Sequence, residues 1–198
     1  MKKSTLIIAA LLLSVVWVAC TETKSEKAEA AKEPAEQKLS QAELIEKGKK
    51  LIAFGGCEHC HSPKMMTDKG PVIDPERRLS GHPSDGYVPP SLEGFIPGPM
   101  LLFNGDLTVA KGPWGTSFSA NITPHATGIG NWSLEQFKKS IKEGKYKGLD
   151  GSRMLLPPMP WQSIAKVASD EDLEAMYAYL MSIKPVDNLV PAAIPPGS

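Results

Sequence analysis

The chain has 198 residues, of which 41% are hydrophobic, and its 22 basic side chains balance its 22 acidic ones to a formal net charge of zero. The chain does not have the excess of positive charge that would indicate a nucleic-acid-binding protein. A near-neutral total makes no prediction about the charge of partners. The stretch predicted to fold, about residues 39–186, is one domain's worth of sequence.

The first 20 residues resemble a bacterial export signal. A basic start, an apolar run and a small residue follow one another: Lys2, Lys3, Leu6 to Val18 and Ala19. The apolar run is shorter than the roughly 20 residues that a membrane-spanning helix needs. We therefore predict a lipoprotein-type signal peptide over residues 1–19, with lipid carried by Cys20. Trp17 stands where such signals usually have leucine, so an uncleaved anchor or ordinary secretion is the alternative.

Residues 20–38 are mostly Glu, Lys and Ala, with no aromatic residue and a proline at position 34. Such a segment buries too little apolar area to order itself. We predict a flexible tether that joins the lipid to the folded domain.

The domain is predicted to begin with a capped helix. Ser40 and Glu43 have the spacing of a capping box, and Gly55-Gly56 is a helix stop. Gly48 lies on the apolar face of this helix, where a glycine costs about 1 kcal/mol relative to alanine. We predict that Gly48 marks close contact with another helix, the alternative being a weak position without a role.

The five residues after that stop, Cys57-Glu58-His59-Cys60-His61, form a C-x-x-C-H motif, which is typical of covalent c-type haem attachment. The two thiols would form thioethers with the porphyrin, and His61 would be the proximal iron ligand. A zinc site would need four ligands, usually through a second pair of Cys or His residues at short spacing, which the sequence does not contain. A thioredoxin-like dithiol would need a βαβ context, whereas the residues before Cys57 are predicted to be a helix. With Cys20 lipidated, no cysteine is left for a disulfide.

Residues 62–131 show no helical period, and Gly and Pro recur every few residues. We predict a long loop that packs over the core, because it contains apolar residues such as Phe95, Met100 and Trp114. A hairpin around Asn104-Gly105 is a candidate, since Asn-Gly favours a type I′ turn.

Two further helices are predicted near the C-terminus. Ser133 and Gln136 form a second capping box, for a helix that runs to about Glu143. The last helix begins at Ser169 or Asp170, where three acidic residues favour its first turn, and Pro185 ends it. Residues 187–198 are predicted to be a C-terminal tail.

The second axial ligand of a haem iron decides between electron transfer and chemistry on small ligands. Met159 is the leading candidate because prolines at 157, 158 and 160 present it from a stiff extended loop. The alternatives are Met154, Met100, His125 or an open sixth position.

These motifs resemble those of the class I cytochrome c superfamily. The more specific similarity, over about residues 45–186, is to bacterial cytochromes related to the cytochrome c subunits of membrane alcohol dehydrogenases. It is carried by segments that include Gly112-Pro113-Trp114-Gly115, Asn121-Ile122-Thr123-Pro124, Leu155 to Trp161 and Asp170-Glu171-Asp172-Leu173. The resemblance implies an all-α fold whose first and last helices cross, with a long loop insertion and one haem c held by Cys57, Cys60, His61 and Met159.

The expected function is therefore electron transfer outside the cytoplasm by a lipid-anchored carrier that is not itself an enzyme. Its expected partners are a quinol-linked complex, a dehydrogenase or a terminal oxidase. The single C-x-x-C-H motif favours a carrier over a subunit with an internal chain of haems. Two alternatives stay open: a peroxidase-like or gas-binding haem protein with a labile sixth ligand, and a dedicated haem subunit of a dehydrogenase complex. His125 departs from the related proteins, which have Asp at this position.

Overall fold

A computed structural model describes residues 38–88 and 101–197. The predicted signal peptide, Cys20, all but the last residue of the predicted tether, Phe95 and Met100 lie outside the described residues. In the described part of the chain, no helix is long and apolar enough to cross a membrane.

The described residues contain helices at both ends of the domain and short strands between them. The helices are α1 (Gln41–Phe54), α2 (Cys57–His61), α3 (Leu134–Lys142), α4 (Trp161–Val167) and α5 (Asp170–Ser182), with a short 3₁₀ turn at Tyr146–Gly148. The strands are β1 (Lys64–Thr67), β2 (Gly70–Ile73), β3 (Leu102–Phe103), β4 (Val109–Gly112) and β5 (Gly115–Phe118).

The predicted all-α class is wrong, because the region predicted to be a loop contains two small antiparallel sheets. β1 pairs with β2, with Met65 opposite Val72, and β3, β4 and β5 form a three-stranded meander in that order. Strands of two to four residues are too short to produce a recognisable alternation of apolar and polar residues. Asn104 and Gly105 lie in the connection between β3 and β4, as the hairpin candidate requires.

The capping boxes predicted at Ser40 and Ser133 are confirmed, and Ser169, one of the two predicted starts of the last helix, forms a third. The side chains of Ser40, Ser133 and Ser169 each accept a hydrogen bond from the backbone N–H three residues later, and the side chain of that later residue accepts one from the backbone N–H of the serine. Each box satisfies backbone donors that a helix start leaves without partners. The helix boundaries therefore follow from local sequence chemistry.

α1 and α5 cross in direct backbone contact, as the resemblance implied. A Cβ atom placed on Gly48 would lie 1.9 Å from the carbonyl oxygen of Ala175 and 2.8 Å from Cβ of Tyr179. Beside this contact, Lys47 pairs with Glu171 at 2.6 Å and with Asp172 at 2.7 Å. Hydrogen bonds from Lys47 and Ser169 lower the pKa of Asp172 to about 2, so this carboxylate is charged at neutral pH.

The main core cluster forms where α1, α3 and α5 meet the segments between them. Its fully buried members include Ile52, Leu79, Ile129, Leu173 and Leu180. Cys57 and Met159 are partly buried and pack against this same cluster. The core therefore supports both ends of the candidate site.

Residues 187–197 pack against the domain. The buried Asn188 side chain donates hydrogen bonds to the carbonyl oxygens of Ser80 and His82, at 2.7 and 2.8 Å. Ile194 forms an antiparallel bridge with Thr116, adding a short pairing to the edge of β5. These contacts tie the C-terminus to the strand region.

We predict that Gly48→Ala destabilises the protein, because the added Cβ would force α1 and α5 apart. Overpacking of this kind costs about 1–3 kcal/mol, which exceeds the about 1 kcal/mol gained in helix propensity. Chemical denaturation followed by circular dichroism would measure the loss. Gly105→Ala is the matched control, since nothing lies within 4 Å of a Cβ at that position. An equal or greater stability for Gly48→Ala than for the control would contradict the prediction.

Candidate haem site

A glycine in left-handed conformation turns the chain from α1 into α2. Gly56 has φ 66°, a value that residues with a side chain rarely adopt, and it directly precedes Cys57. In the single helical turn that follows, Cys57, Cys60 and His61 occupy positions i, i+3 and i+4, which lie on one face of a helix. The two thiols and the imidazole of the motif are therefore presented together.

The His61 imidazole is oriented by a backbone carbonyl 59 residues away. Its Nδ1 lies 2.7 Å from the carbonyl oxygen of Ala120. A carbonyl can only accept, so Nδ1 carries the hydrogen and Nε2 keeps its lone pair for a metal. Burial lowers the pKa of His61, which also favours the neutral ligand form. This arrangement fixes both the tautomer and the ring plane, as second contacts of metal-ligating histidines generally do.

The two cysteines have the properties of structural attachment points rather than of a reactive dithiol. Burial raises the pKa of Cys57 to about 11, and it also raises the pKa of Cys60. Reactive dithiols depend on lowered pKa values. The described residues contain no group of three or more His, Cys, Asp and Glu side chains that could hold a metal ion, so a four-ligand zinc site is not built there.

The C-terminal end of α2 is neutralised by a lysine. Lys64 Nζ donates to the carbonyl oxygens of His59, Ser62 and Asp106, the second at 2.9 Å. A cation at a helix C-terminus interacts favourably with the exposed carbonyls. Because Asp106 lies between β3 and β4, the same ammonium group ties α2 to the strand region.

The other side of α2 is held by the segment that follows β2. The guanidinium group of Arg78 donates to the carboxylate of Glu58 and lies 5.9 Å from the ring centre of Tyr179 in α5. Leu79 N–H donates to Ser62 Oγ at 2.9 Å, and Gly81 N–H donates to the His61 carbonyl at 2.8 Å. These contacts fix α2 against the core.

Met159 is the last residue of a tight turn that begins at Leu156. Met159 N–H donates to the Leu156 carbonyl at 3.2 Å, and α4 begins two residues later. Just before the turn, Leu155 N–H donates to the Gly144 carbonyl at 2.7 Å. Met159 is half-buried and packs against the cluster that Cys57 also contacts.

The alternative ligands are placed less favourably. Met154 is 42% exposed and lies in an isolated bridge with Lys145. His125 Nδ1 lies 2.9 Å from Thr127 Oγ1 and accepts from Thr127 N–H at 3.2 Å. In the neutral ring the hydrogen therefore lies on Nε2, the opposite of the tautomer at His61. Met100 lies outside the described residues.

These residues fit a covalently attached haem. Two thiols and an imidazole whose hydrogen lies on Nδ1 are presented on one turn of helix, and a thioether is held on a separate turn against the same apolar cluster. Imidazole nitrogen and thioether sulfur are the axial ligands of many electron-transfer haems.

Sequence reasoning did not anticipate the residues that orient this site. Ala120 acts through its backbone carbonyl, and since every residue has one, the sequence does not reveal this role. Lys64 acts through its position three residues after His61, where a cation can reach the end of the helix. α2 itself was missed because five residues are too few to show a helical period.

The fold and the site define a haem protein of the cytochrome c type. Residues 45–184 match the family model of Cytochrome c, and the chain belongs to that family. It accordingly carries covalent haem c, which in this family serves electron transfer.

Several curated relatives are parts of dehydrogenases. The gluconate 2-dehydrogenase cytochrome c subunit of Pantoea cypripedii is 35% identical over 139 residues, which cover 70% of this chain and 23% of the relative. The fructose dehydrogenase cytochrome subunit of Gluconobacter japonicus is 46% identical over 77 residues, which are 38% of this chain and 15% of the relative. The cytochrome c subunit of alcohol dehydrogenase (quinone) from Gluconobacter oxydans is 46% identical over 78 residues, 38% of this chain and 16% of the relative.

The chain thus spans at most about a quarter of the length of these relatives. The names given to the cytochrome subunits describe electron-transfer components rather than catalytic ones.

We predict that replacing both Cys57 and Cys60 by alanine abolishes covalent haem attachment, because no thiol would remain in the motif. Peroxidase staining of a denaturing gel, after expression with a haem-attachment system, would detect covalent haem. Cys20→Ala is the control and should stain like the wild type. Staining of the double variant at the wild-type level would contradict the assignment of the two thiols.

Proposed function

We propose that the protein is a one-electron carrier whose haem is bound through Cys57 and Cys60 and ligated by His61 and Met159. The observation that carries this proposal is the Nδ1–H of His61 donating to Ala120 while Met159 is held on a proline-rich turn. When bound, the haem supplies reversible one-electron exchange between Fe(III) and Fe(II).

The contribution of this chain is to restrict how the two ligands move. His61 cannot rotate without losing the Ala120 contact, and prolines limit the backbone on both sides of Met159. A preorganised ligand loses little entropy on binding the iron, and fixed ligands keep reorganisation small when the charge changes. The site therefore suits repeated electron exchange better than the binding of exogenous small ligands.

The chemistry of the ligands supports a direction of electron flow. Methionine with histidine raises the reduction potential of a haem. The Lys64 ammonium group at the end of α2 adds positive charge beside His61, which favours the reduced iron further. Electrons would then pass from a quinol-linked complex or a dehydrogenase to this protein, and on to a terminal oxidase.

A second candidate is a dedicated haem subunit of a dehydrogenase complex. The observation that favours it is the similarity to proteins named as cytochrome subunits of gluconate and alcohol dehydrogenases. Both candidates use the same haem site. They differ in whether the protein stays with one catalytic partner or exchanges between partners through a weak interface.

We further propose that the protein works on the periplasmic side of the bacterial cell envelope, anchored to a membrane through a lipid on Cys20 and the tether of residues 20–38. The support is the signal-like sequence before Cys20 and the need of C-x-x-C-H proteins to be exported for haem attachment. A tether lets the domain turn toward different partners while it remains near the membrane.

We predict that Met159→Ala removes the methionine-to-iron charge-transfer band of the oxidised protein. The reduction potential should fall by on the order of 100 mV, a fraction of the about 0.8 V range that axial ligands control. Carbon monoxide should also bind rapidly to the reduced variant. Visible absorption spectroscopy and a redox titration would measure these changes.

Met154→Ala is the matched control and should keep the band and the potential of the wild type. Loss of the band in this control but not in Met159→Ala would transfer the ligand role to Met154. Rapid carbon monoxide binding by the wild type would instead support the peroxidase-like or gas-binding alternative.

We predict that the wild-type protein sediments with membranes and that Cys20→Ala shifts it to the soluble fraction of the cell envelope, because the variant has no thiol for the lipid. Fractionation followed by haem staining would measure the distribution. Retention of the variant in the membrane would indicate an uncleaved apolar anchor.

Purification of the protein from these membranes would distinguish the carrier from the dedicated subunit. Purification of the wild type in mild detergent with an equimolar catalytic subunit would support the dedicated subunit. Recovery without a stoichiometric partner, together with rapid reduction by a purified quinol-oxidising complex, would support the carrier.

A further inference from the structure

The turn that carries Met159 is poor in hydrogen-bond donors. Residues 157, 158 and 160 are prolines and have no N–H, so Met159 alone supplies a backbone donor within residues 157–160. That donor is used inside the turn, on the Leu156 carbonyl. Further hydrogen bonds to this stretch must therefore come from outside donors to its carbonyl groups.

Ser117 in β5 supplies such a donor. Its Oγ lies 2.6 Å from the Pro157 carbonyl oxygen and 3.3 Å from the Ala110 carbonyl oxygen. A hydroxyl has one hydrogen, and the shorter distance assigns it to Pro157. Trp114 Nε1–H donates to the same Oγ at 3.2 Å, which orients the hydroxyl toward the turn. Ser117 is 8% exposed, so water competes little for this contact.

The strand that carries Ser117 is itself firmly held. Thr116 exchanges two backbone hydrogen bonds with Ile194, at 2.8 and 2.9 Å. Ser119 N–H donates to the Thr108 carbonyl at 2.9 Å, and Ile122 N–H donates to the Leu79 carbonyl at 3.0 Å. A donor on such a segment can restrict a turn 40 residues away in sequence.

The same segment also orients the other axial ligand. Ala120, three residues after Ser117, accepts the hydrogen of His61 Nδ1 at 2.7 Å. One short stretch of backbone therefore contacts both ligand-bearing elements, His61 through a carbonyl and the Met159 turn through a hydroxyl.

We propose that Ser117 is a positioning residue for Met159, holding the turn from Leu156 to Met159 so that its thioether stays available to the iron. The inference rests on the proposed ligand role of Met159. Losing the contact would free the turn and leave the Pro157 carbonyl without this donor. The methionine would then compete less well with other ligands for the iron.

The test is imidazole binding to the oxidised holoprotein, followed by the loss of the methionine charge-transfer band. We expect Ser117→Ala to bind imidazole about tenfold more tightly than the wild type, since a tenfold change corresponds to about 1.4 kcal/mol, the size of a typical hydrogen bond. Ser117→Thr retains a hydroxyl and should lie closer to the wild type. The band of Ser117→Ala should also disappear at lower temperature.

Ser80→Ala is the matched control, because Ser80 is buried and its hydroxyl donates to the Arg77 carbonyl at 2.8 Å without contacting the turn. It should leave imidazole affinity within about twofold of the wild type. Equal shifts in the two alanine variants, or an unchanged affinity in Ser117→Ala, would overturn the positioning role.

Trp114→Phe provides a second variant if Ser117→Ala fails to fold with haem. It removes the donor that orients the Ser117 hydroxyl and should tighten imidazole binding about two- to threefold, whereas wild-type affinity would count against the proposal. A wild type without the methionine band would overturn the ligand role of Met159 and this inference with it. A wild type with the band and an unaffected Ser117→Ala would overturn the inference alone.

Discussion

The rest of the structure depends on the backbone contact between α1 and α5. At Gly48 the two helices approach so closely that a methyl group would overlap the Ala175 carbonyl. This contact places Tyr179 under Arg78, and Arg78 in turn donates to Glu58 in α2. The haem-attachment helix is thus positioned through a chain of contacts that begins at the helix crossing.

The strand region supplies contacts that helices would not readily provide. Backbone carbonyls inside a helix are already paired, whereas the irregular segment after β5 leaves the Ala120 carbonyl free to accept from His61. Lys64 reaches across to the β3–β4 connection while it neutralises the end of α2. The insertion between the haem motif and α3 is therefore part of the site's support, and the C-terminal residues strengthen it through Thr116 and Ile194.

The predictability of each element followed its length and its end signals. α1, α3 and α5 carry complete capping boxes. The boxes of α1 and α3 were recognised in the sequence, and the start of α5 was predicted to within one residue. α2 and α4 span five and seven residues and have no side-chain cap, and neither was predicted. Apart from the hairpin candidate at Asn104-Gly105, the strands were missed for a related reason, since a run of two to four residues is stabilised by its partners rather than by its own pattern. The predicted all-α class was wrong because these strands were not foreseen.

By itself the sequence determined that haem is attached covalently and where the long helices start. The C-x-x-C-H spacing specifies covalent haem because the attachment needs two thiols and an imidazole within one helical turn, a condition satisfied by neighbouring residues. Only the tertiary structure decided how the side chains of this motif are oriented and which contacts hold the turn that carries Met159. Ala120 and Ser117 lie 59 and 40 residues from the groups they contact, and their roles depend on where folding brings a carbonyl and a hydroxyl. Contacts of that kind depend on distances in space, which local spacing along the chain does not encode.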